Sequence, residues 1–466
     1  MIEQKTLSNT PVGLEIHKKA RQLQRKLWAC AKQSKTRKFH ALYDRIHSWP
    51  ILMESYWRVR SNHGASGIDG QTIEDVEARG VELFLKGIQQ TLQEGCYKPL
   101  AVRRVNIPKP DGKQRPLGIP ILRDRVIQMA ANMVLNPIFE ADFKGCSYGF
   151  RPKRNPLMAL ERVRQYANRG FNYVLDADIQ DYFNSIDHRL LIELVKRRIC
   201  DKRVIKLIWL WLKSGVMVDG RVQETPVGAP QGAVISPLLS NIVLHELDRE
   251  WESRYATYGH LTRFADDFII QSVSQKQVEA AKSIIRNMMG KLKLRLHPEK
   301  TRVVNLSWGK EGFDFLGHTL KKTASYRFAG KFFLNRWPSR KSMNRMRQKI
   351  REVIDRKRFG IKDVREFIPE LNPILRGWGN YFKSGNANKA FNQMDRYVHY
   401  RLALFENRRR NRKRPHWFRE FTLEWYRSLG FQQLRGTVCK VTHGLKGGRR
   451  KQEPNGHLHL YSTNGP

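Results

Sequence analysis

The stretch LTRFADDFII, residues 261–270, places two adjacent aspartates between two short apolar runs. Leu261–Phe264 and Phe268–Ile270 predict two antiparallel strands joined by a turn that carries Asp266 and Asp267. With 43 acidic residues in the chain, about four adjacent acidic pairs are expected by chance. A solvated hairpin tip would therefore be the ordinary interpretation of this pair. The apolar arms on both sides favour a hairpin inside a core sheet instead.

The sequence around this hairpin predicts the order strand, helix, strand pair, helix, strand. That is the split βαβ arrangement of a ferredoxin-like sheet with helices on one face. Its first strand ends at Asp178 and lies beside the hairpin, so Asp178 meets the aspartate pair. The other predicted elements are a strand start at Tyr173, helices capped by Asp187 and Ser274, a hairpin over residues 216–222 and a last strand over residues 301–306.

Three carboxylates on one open sheet face would repel and raise one another's pKa. Two Mg²⁺ ions, with Mn²⁺ as an alternative, would relieve the repulsion, because Mg²⁺ binds a few carboxylates together with substrate phosphates. Two such ions beside a growing strand end catalyse nucleotidyl transfer. We therefore expect Asp178, Asp266 and Asp267 to be the catalytic carboxylates. Asp176, on the same strand, is expected to be a supporting or solvent-facing residue.

Composition indicates a nucleic-acid partner. The 466 residues include 86 Lys or Arg against 43 Asp or Glu, a formal charge of +43, and such a chain attracts polyanions. It is 40% hydrophobic, which is too apolar for a disordered basic tail. No stretch approaches the ~18 apolar residues of a membrane span. The N-terminus lacks an apolar signal core, and the five scattered cysteines include no CxxC pair. These features predict a reducing interior, and we expect the bacterial cytoplasm, at the nucleoid, rather than an organelle matrix.

Short motifs along the chain resemble the sequence boxes of reverse transcriptases and occur in the same order. They are residues 178–183 (DIQDYF), 230–232 (PQG), 264–267 (FADD), 298–300 (PEK) and 312–317 (GFDFLG). Three more resemble the finger boxes and the maturase-specific segment of the group II intron reverse transcriptase/maturase family. These are residues 107–120 (IPKPDGKQRPLGIP), 147–152 (SYGFRP) and 371–382 (LNPILRGWGNYF). The resemblance covers most of residues 25–405.

The resemblance implies an α+β, right-hand polymerase with fingers and a ferredoxin-like palm. An α-helical thumb, the maturase domain X, and a small basic C-terminal module would follow. The expected domains are a basic helical extension (1–60), fingers and palm (61–325), the thumb (335–405) and a basic DNA-binding region (406–466). Many family members have an HNH endonuclease that is rich in Cys and His. It is expected to be absent here, because residues 406–466 contain a single cysteine, Cys439.

The implied function is that of an RNA-directed DNA polymerase and intron maturase. It would bind its group II intron RNA, promote splicing and copy the RNA into DNA during retromobility. The implied partners are the intron RNA, an RNA template with a DNA primer, target DNA and deoxynucleoside triphosphates. A membrane partner is not expected, and a homodimer stays open. Two other functions also stay open: a splicing cofactor without catalysis, and a reverse transcriptase that acts outside introns.

The resemblance also gives roles to single residues. The metal site would comprise Asp178, Ile179, Asp266 and Asp267. The deoxynucleotide would contact Lys109, Arg115, Phe183, Gln231 and Lys300. The primer grip would be Phe315, Leu316 and Gly317. Phe183 would exclude a 2′-hydroxyl, with core packing as the alternative, and Lys300 would protonate the leaving pyrophosphate, with a plain surface lysine as the alternative.

Contacts to RNA or DNA are expected from basic residues of the fingers, thumb and tail. These are Arg151, Arg376, Lys383, Arg408, Arg409, Arg410, Arg412, Lys413 and Arg414. In the thumb, Asn372 is expected to cap a helix whose first residue is Pro373. Residues 371–382 then form one apolar helical stripe. With helices near 341–357 and 387–405, they predict a three-helix bundle.

Overall fold

The computed structural model describes residues 10–108, 114–218, 221–223, 227–228, 232–356, 363–409 and 421–439. The chain divides into two compact units. The first comprises the described residues of Met1–Ala159 and Leu175–Val303, and the second comprises those of Leu160–Val174 and Val304–Tyr461. Within the described residues, no helix is both long and apolar enough to cross a membrane. The four-domain division made from sequence stays a prediction.

Helices build the N-terminal part of the first unit, including the segment predicted to be a basic helical extension (1–60). They are α1 (Pro11–Gln33), α2 (Tyr43–Ile46), α3 (Trp49–Ser61), α4 (Ile73–Arg79), α5 (Val81–Gln93) and α6 (Leu122–Glu140). α6 is buried along most of its length and packs against α1 and α3. A small sheet of order β2-β1-β4-β5 accompanies them. Its strands are β1 (Val102–Pro108), β2 (Gln114–Ile119), β4 (Val216–Val218) and β5 (Arg221–Gln223).

A second four-stranded sheet has the order β6-β7-β3-β8. Its strands are β3 (Tyr173–Asp178), β6 (His260–Phe264), β7 (Asp267–Ser272) and β8 (Arg302–Asn305). This is the ferredoxin-like order predicted from the sequence, with the first strand beside the second arm of the hairpin. The neighbouring helices are α7 (Pro156–Asn168), α8 (Tyr182–Ser185), α9 (His188–Lys196), α10 (Lys202–Leu212), α11 (Ser236–Glu250) and α12 (Gln275–Lys291). The mixed sheets and helices confirm the α+β class.

Two predicted caps set the start of helices in this region. The Asp187 side chain accepts a hydrogen bond from the Leu190 amide at the start of α9. The Ser274 hydroxyl accepts one from the Gln277 amide at the start of α12. α9 then runs from His188 to Lys196.

A buried ion pair lies directly behind the aspartate hairpin. Arg263 of β6 and Asp248 of α11 have side chains that are both 0% exposed. The Arg263 guanidinium donates from Nε to Asp248 at 2.8 Å and from Nη1 to the Asn241 side-chain oxygen at 3.1 Å. It also donates to the Ala265 carbonyl at 2.9 Å. Because a buried charge needs a partner and satisfied hydrogen bonds, this pair ties the hairpin to α11.

The second unit combines a three-stranded sheet with helices around one core. Its antiparallel strands are β9 (Gly312–Phe315), β10 (His318–Ala324) and β11 (Phe332–Pro338), in the order β11-β10-β9. Its main helices are α13 (Arg340–Arg356), α14 (Ile368–Phe382), α15 (Asn388–Arg409) and α16 (Leu423–Ser428). The first three confirm the predicted bundle. Phe421, Tyr426 and Leu434 are buried in the same core, so residues 421–439 share the core of α13–α15.

The predicted start of α14 is wrong. The helix begins at Ile368, with Pro369 in its first turn, and both Asn372 and Pro373 lie inside it. Pro373 removes a backbone hydrogen bond, but buried Leu371 and Leu375 hold the helix against the core on either side. The Asn372 side chain does not cap the helix; it donates to the Gly430 carbonyl and accepts from the Gln432 amide, both at 2.9 Å.

We expect Arg263→Met to lower the free energy of unfolding by about 3–5 kcal/mol, because it leaves the Asp248 carboxylate buried without its cation. Urea denaturation would measure this. Lys86→Met is the matched control, since Lys86 pairs with Glu82 at a site where both side chains are more than half exposed. That control should cost no more than about 1 kcal/mol. Equal losses in the two variants would contradict the structural importance of the buried pair.

Candidate active site

The aspartate hairpin has a tight two-residue turn. Phe264 pairs with Asp267, so Ala265 and Asp266 form the turn, and Ala265 adopts a left-handed conformation with φ of 57°. Gly149 lies against this turn so closely that a Cβ there would be 2.3 Å from the Ala265 nitrogen. The Asn241 amide donates to the Gly149 carbonyl at 2.9 Å. The backbone of the SYGFRP segment (residues 147–152) therefore packs against the aspartate hairpin and supports it.

The structure brings together the carboxylates at the ends of β3 and β7. Burial raises the pKa of Asp267 well above its ordinary value, and the negative charges of Asp176, Asp266 and Asp178 raise it further. Among these carboxylates, Asp176 has the largest effect. The sequence interpretation gave Asp176 a supporting role, although its position two residues before Asp178 places both on the same strand face.

Two basic side chains accompany these carboxylates. The Lys300 ammonium lies 2.7 Å from Asp178 Oδ2, and the Arg302 Nε lies 3.3 Å from Asp176 Oδ2. Every charged neighbour that shifts the pKa of Asp267 is itself a carboxylate. Lys300 and Arg302 therefore partly compensate the charges of the β3 carboxylates. No basic side chain is among the groups that shift the pKa of Asp267.

Among the described residues, no group of three or more His, Cys, Asp or Glu side chains is placed so that it could hold a metal ion by itself. A cation at these carboxylates would therefore have to be shared with substrate. Mg²⁺ commonly takes only one or two carboxylates and completes its shell with substrate phosphates and water. A dication would also offset the repulsion that raises the pKa of Asp267. Ile179 is buried, and because its side chain is a hydrocarbon, it could offer a cation only its backbone carbonyl.

Phe183 lies in α8, directly after the β3 carboxylates. Its neighbour Tyr182 is buried and donates from its hydroxyl to the Ser240 carbonyl at 2.8 Å. Phe183 is only half-buried, with its ring 5.4 Å from that of Tyr182. A Cβ on Gly228 would be 3.1 Å from the Phe183 carbonyl oxygen. Tyr182 thus fills the core position, and Phe183 retains an exposed surface at the site.

For three other predicted nucleotide contacts, the side chain lies outside the described part of the structure. Lys109 and Gln231 lie outside the described residues. Arg115 belongs to β2, where its backbone pairs with Ile107, but its side chain is outside the described part of the structure. Their roles stay predictions.

The predicted primer grip is a second tight turn, in the second unit. Leu316 and Gly317 connect β9 to β10 and both have positive φ, while Phe315 is buried. The Tyr381 hydroxyl of α14 donates to the Leu316 carbonyl at 2.9 Å, and Ser342 of α13 donates to the Gly317 carbonyl at 2.8 Å. The sequence stripe assigned Tyr381 to the bundle core, whereas the structure shows that it also holds this turn.

The next residue, His318, is enclosed by the same helix. Its ring centroid lies 4.5 Å from that of Phe382 and 5.2 Å from that of Tyr381. Burial lowers the pKa of His318 to about 4. The imidazole is therefore neutral at physiological pH and acts as an aromatic support for the turn.

The prediction that Arg151 binds nucleic acid is wrong in this structure. Its side chain is 3% exposed and makes a bidentate contact with Glu140. It also donates to the Ser147 carbonyl at 2.9 Å. With these partners the guanidinium fixes the SYGFRP segment from inside and is not available to phosphate.

The thumb residues predicted to contact RNA have different surroundings. Arg376 and Arg408 are exposed on α14 and α15. Lys383 is half-buried and donates to the Asn380 side chain at 3.0 Å. The side chain of Arg409 lies outside the described residues, as do Arg410, Arg412, Lys413 and Arg414.

A ferredoxin-like sheet with carboxylates at the ends of its first and third strands, together with a helical unit, is the arrangement of a nucleic-acid polymerase. Comparison with known proteins identifies the type of polymerase. A family model described as reverse transcriptase (RNA-dependent DNA polymerase) matches residues 107–320. A model described as group II intron, maturase-specific domain matches residues 343–423. Neither matched model is an HNH endonuclease domain.

Individual relatives agree with these matches. Protein YkfC of Escherichia coli is 37% identical over 343 residues, which cover 65% of this chain and 89% of YkfC. Group II intron-encoded protein LtrA of Lactococcus lactis subsp. cremoris is 38% identical over 214 residues, 45% of this chain and 35% of LtrA. The putative COX1/OXI3 intron 1 protein of Saccharomyces cerevisiae is 30% identical over 253 residues, 54% of this chain and 29% of that protein.

The chain belongs to the group II intron-encoded reverse transcriptase/maturase family. It is an RNA-directed DNA polymerase with a maturase-specific domain. A reverse transcriptase domain implies dependence on a divalent metal ion, typically Mg²⁺. The two domains together imply intron RNA and other nucleic acid as substrates.

We expect Asp267→Asn to stabilise the protein at neutral pH when divalent ions are removed. The folded-state pKa of Asp267 lies above the unfolded value, so the carboxylate destabilises the fold increasingly as pH rises above ~4. The variant should exceed wild type by ~1 kcal/mol or more at pH 7, since a tenfold change in proton affinity is worth about 1.4 kcal/mol. The difference should vanish at pH values below ~4.

Thermal unfolding at several pH values, with and without Mg²⁺, would measure this. Mg²⁺ should raise the melting temperature of wild type more than that of Asp267→Asn. Glu279→Gln, which neutralises an exposed carboxylate on α12, is the matched control and should behave as wild type. A stability difference independent of pH would refute the electrostatic explanation.

Proposed function

We propose that this protein binds its parent group II intron RNA, promotes its splicing and copies it into DNA during retromobility. The observation that carries the proposal is the convergence of four carboxylates where the two central strands of the palm sheet, β3 and β7, end and begin. They are Asp176, Asp178, Asp266 and Asp267. The attachment of the primer-grip turn to α14 supports it, because that helix contains the maturase-specific segment.

In this proposal Asp178, Asp266 and Asp267 hold two Mg²⁺ ions, with Mn²⁺ as an alternative and the Ile179 carbonyl as a further ligand. When bound, these ions supply activation of the primer 3′-hydroxyl and stabilisation of the leaving pyrophosphate. Asp176 adds negative charge beside Asp267 and is itself paired with Arg302. The carboxylates stay together because the hairpin behind them is fixed to α11 through Arg263.

Lys300 has two roles compatible with its position. As found, its ammonium neutralises Asp178 across 2.7 Å. When Asp178 binds a cation instead, Lys300 is free to donate a proton to the leaving pyrophosphate. Lys109, Arg115 and Gln231 complete the proposed nucleotide site, with the two basic residues on the triphosphate.

The other partners belong to the same proposal. An RNA template with its DNA primer, deoxynucleoside triphosphates and target DNA are the proposed substrates, and a homodimer stays open. Exposed Arg376 and Arg408, with the basic residues 409–414, are proposed contacts to RNA or DNA. Relatives from bacteria support action in the cytoplasm at the nucleoid.

We expect Asp266→Ala to lower the rate of primer extension on an RNA template by about a hundredfold or more, the range for losing one preorganised electrostatic contact. Primer extension with Mg²⁺ would measure it. Asp69→Ala, an exposed aspartate of the first unit, is the control and should extend the primer normally. Full extension by Asp266→Ala would show that the carboxylate assignment is wrong.

The same variant separates catalysis from the second candidate function. Asp266→Ala should still bind the intron RNA and support its splicing, because the hairpin carboxylates contact the nucleotide rather than the intron. If neither wild type nor the variant extends a primer, but both promote splicing, the protein is a non-catalytic splicing cofactor.

We expect Phe183→Val to admit ribonucleotides about tenfold better or more, because it removes a steric overlap with the 2′-hydroxyl worth ~1–3 kcal/mol. Single-nucleotide incorporation with matched ribo- and deoxyribonucleotides would measure the ratio. The rate with deoxynucleotides is the internal control for folding. An unchanged ratio would mean that Phe183 only packs on Tyr182.

A further inference from the structure

The connection between β10 and β11 exposes aromatic side chains next to another one in the turn before β9. Tyr326 is fully exposed, Trp308 is 69% exposed and Phe328 is 52% exposed. Single exposed apolar residues are common on protein surfaces. Three large rings at one end of a small sheet are unusual, and none of them belongs to the catalytic or primer-grip residues. We call Trp308, Tyr326, Phe328, Arg327 and Lys331 the aromatic tip.

The structure gives the aromatic tip a defined shape. The Ser325 hydroxyl accepts from the Arg327 and Phe328 amides at 3.2 Å each, and the Ser325 amide donates to the Lys331 carbonyl at 2.9 Å. The Phe328 ring lies 6.3 Å from Phe333. These contacts close the turn and leave the rings of the tip exposed.

Trp308 reaches the same end of the sheet from the preceding turn. Its ring makes an edge-to-face contact with Phe332 at 5.7 Å. Its backbone is left-handed, with φ of 58°, a conformation that is strained for a bulky residue. The fold thus maintains an exposed tryptophan at the expense of local backbone strain, which is a common property of binding surfaces.

The chain segment that carries most of the aromatic tip is strongly basic, and exposed Glu311 is the acidic residue next to Trp308 in sequence. Residues 315–351 contain eleven Lys or Arg and no Asp or Glu. Arg327 and Lys331 are exposed, and the Lys331 ammonium lies 5.6 Å from the centre of the Phe328 ring. This surface is therefore complementary to a polyanion.

Exposed rings among basic side chains match one kind of polyanion best. Unpaired nucleotides present base faces that stack on aromatic side chains, while their phosphates contact Arg and Lys. In a duplex the base faces are stacked inside, so only phosphates would be recognised. We propose that the aromatic tip binds unpaired nucleotides of RNA, as a stacking site separate from the catalytic carboxylates. This inference rests on the proposed RNA-binding function and adds a surface to it.

The test compares Tyr326→Ala/Phe328→Ala with wild type in binding to an oligouridylate of about 20 nucleotides and to an RNA duplex of equal length. Fluorescence anisotropy at salt of about 0.3 M reduces the nonspecific electrostatic contribution. We expect the double variant to bind the single strand about tenfold more weakly or worse and the duplex as wild type does. Tyr326→Phe, which keeps the ring, should retain wild-type affinity.

Trp209→Ala is the matched control. Trp209 is 37% exposed and has a lysine ammonium, that of Lys213, 5.6 Å from its ring, so it reproduces the ring–cation pair at another place. It should leave single-strand binding unchanged. Single-strand affinity of the double variant within twofold of wild type would overturn the proposal, as would equal weakening toward both RNAs. In the first case the tip serves another partner, such as a protein.

A second measurement uses the wild-type chain. Oligouridylate carrying 4-thiouridine is cross-linked to the protein by light, and the linked peptides are identified by mass spectrometry. Cross-links should fall at Trp308 or within residues 322–331 and disappear when the probe is annealed to its complement. Cross-links that avoid both places would overturn the proposal. Primer extension by the double variant at the wild-type rate shows that its polymerase is intact, and failure of wild type to extend a primer would affect only the proposed catalytic function.

Discussion

Four carboxylates at the ends of β3 and β7 repel one another, and much of the first unit keeps them together in spite of this repulsion. Three kinds of interaction oppose it. Apolar side chains bury the strands on both sides of the hairpin, Lys300 and Arg302 neutralise part of the charge, and the Arg263–Asp248 pair fixes the hairpin from behind. None of these groups is a proposed metal ligand, but without them the carboxylates would separate.

The primer-grip turn follows the same principle with neutral groups. It is a two-residue turn with strained backbone, and side chains of α13 and α14 hold its carbonyl oxygens through Ser342 and Tyr381. In both turns, backbone carbonyl oxygens accept hydrogen bonds from supporting side chains. Such bonds depend on where the supporting helices lie, so helix packing determines the geometry of each turn.

The sequence predicts the sheet order and both helix caps because these depend on local patterns. Short apolar runs mark β6 and β7, and Asp187 and Ser274 have neighbours at cap spacing. Asn372 and Pro373 mislead because burial of Leu371 and Leu375 outweighs the local preference for a helix start. Arg151 misleads because its partner, Glu140, is eleven residues away at the end of α6, and sequence alone does not distinguish a buried arginine from an exposed one.

The support of the candidate site is less predictable than its carboxylates. Asp178, Asp266 and Asp267 belong to motifs with their own signature, whereas Asp248 and Asn241 are ordinary helix residues until the fold brings them to Arg263. The sequence does give one signal for Arg263: a charged residue within a predicted core strand requires a buried partner. Asp176 was detectable by strand alternation, but its effect on Asp267 depends on the distance between two strands.

The raised pKa of Asp267 also links the palm to the proton concentration of its surroundings. A carboxylate that holds its proton more tightly than usual must release it before it can bind a cation. Cation uptake and proton release are then coupled events. The apparent affinity of the palm for divalent ions should therefore increase with pH until Asp267 is fully ionised. The crowding that brings the carboxylates together would thus make ion binding at the proposed metal site depend on pH.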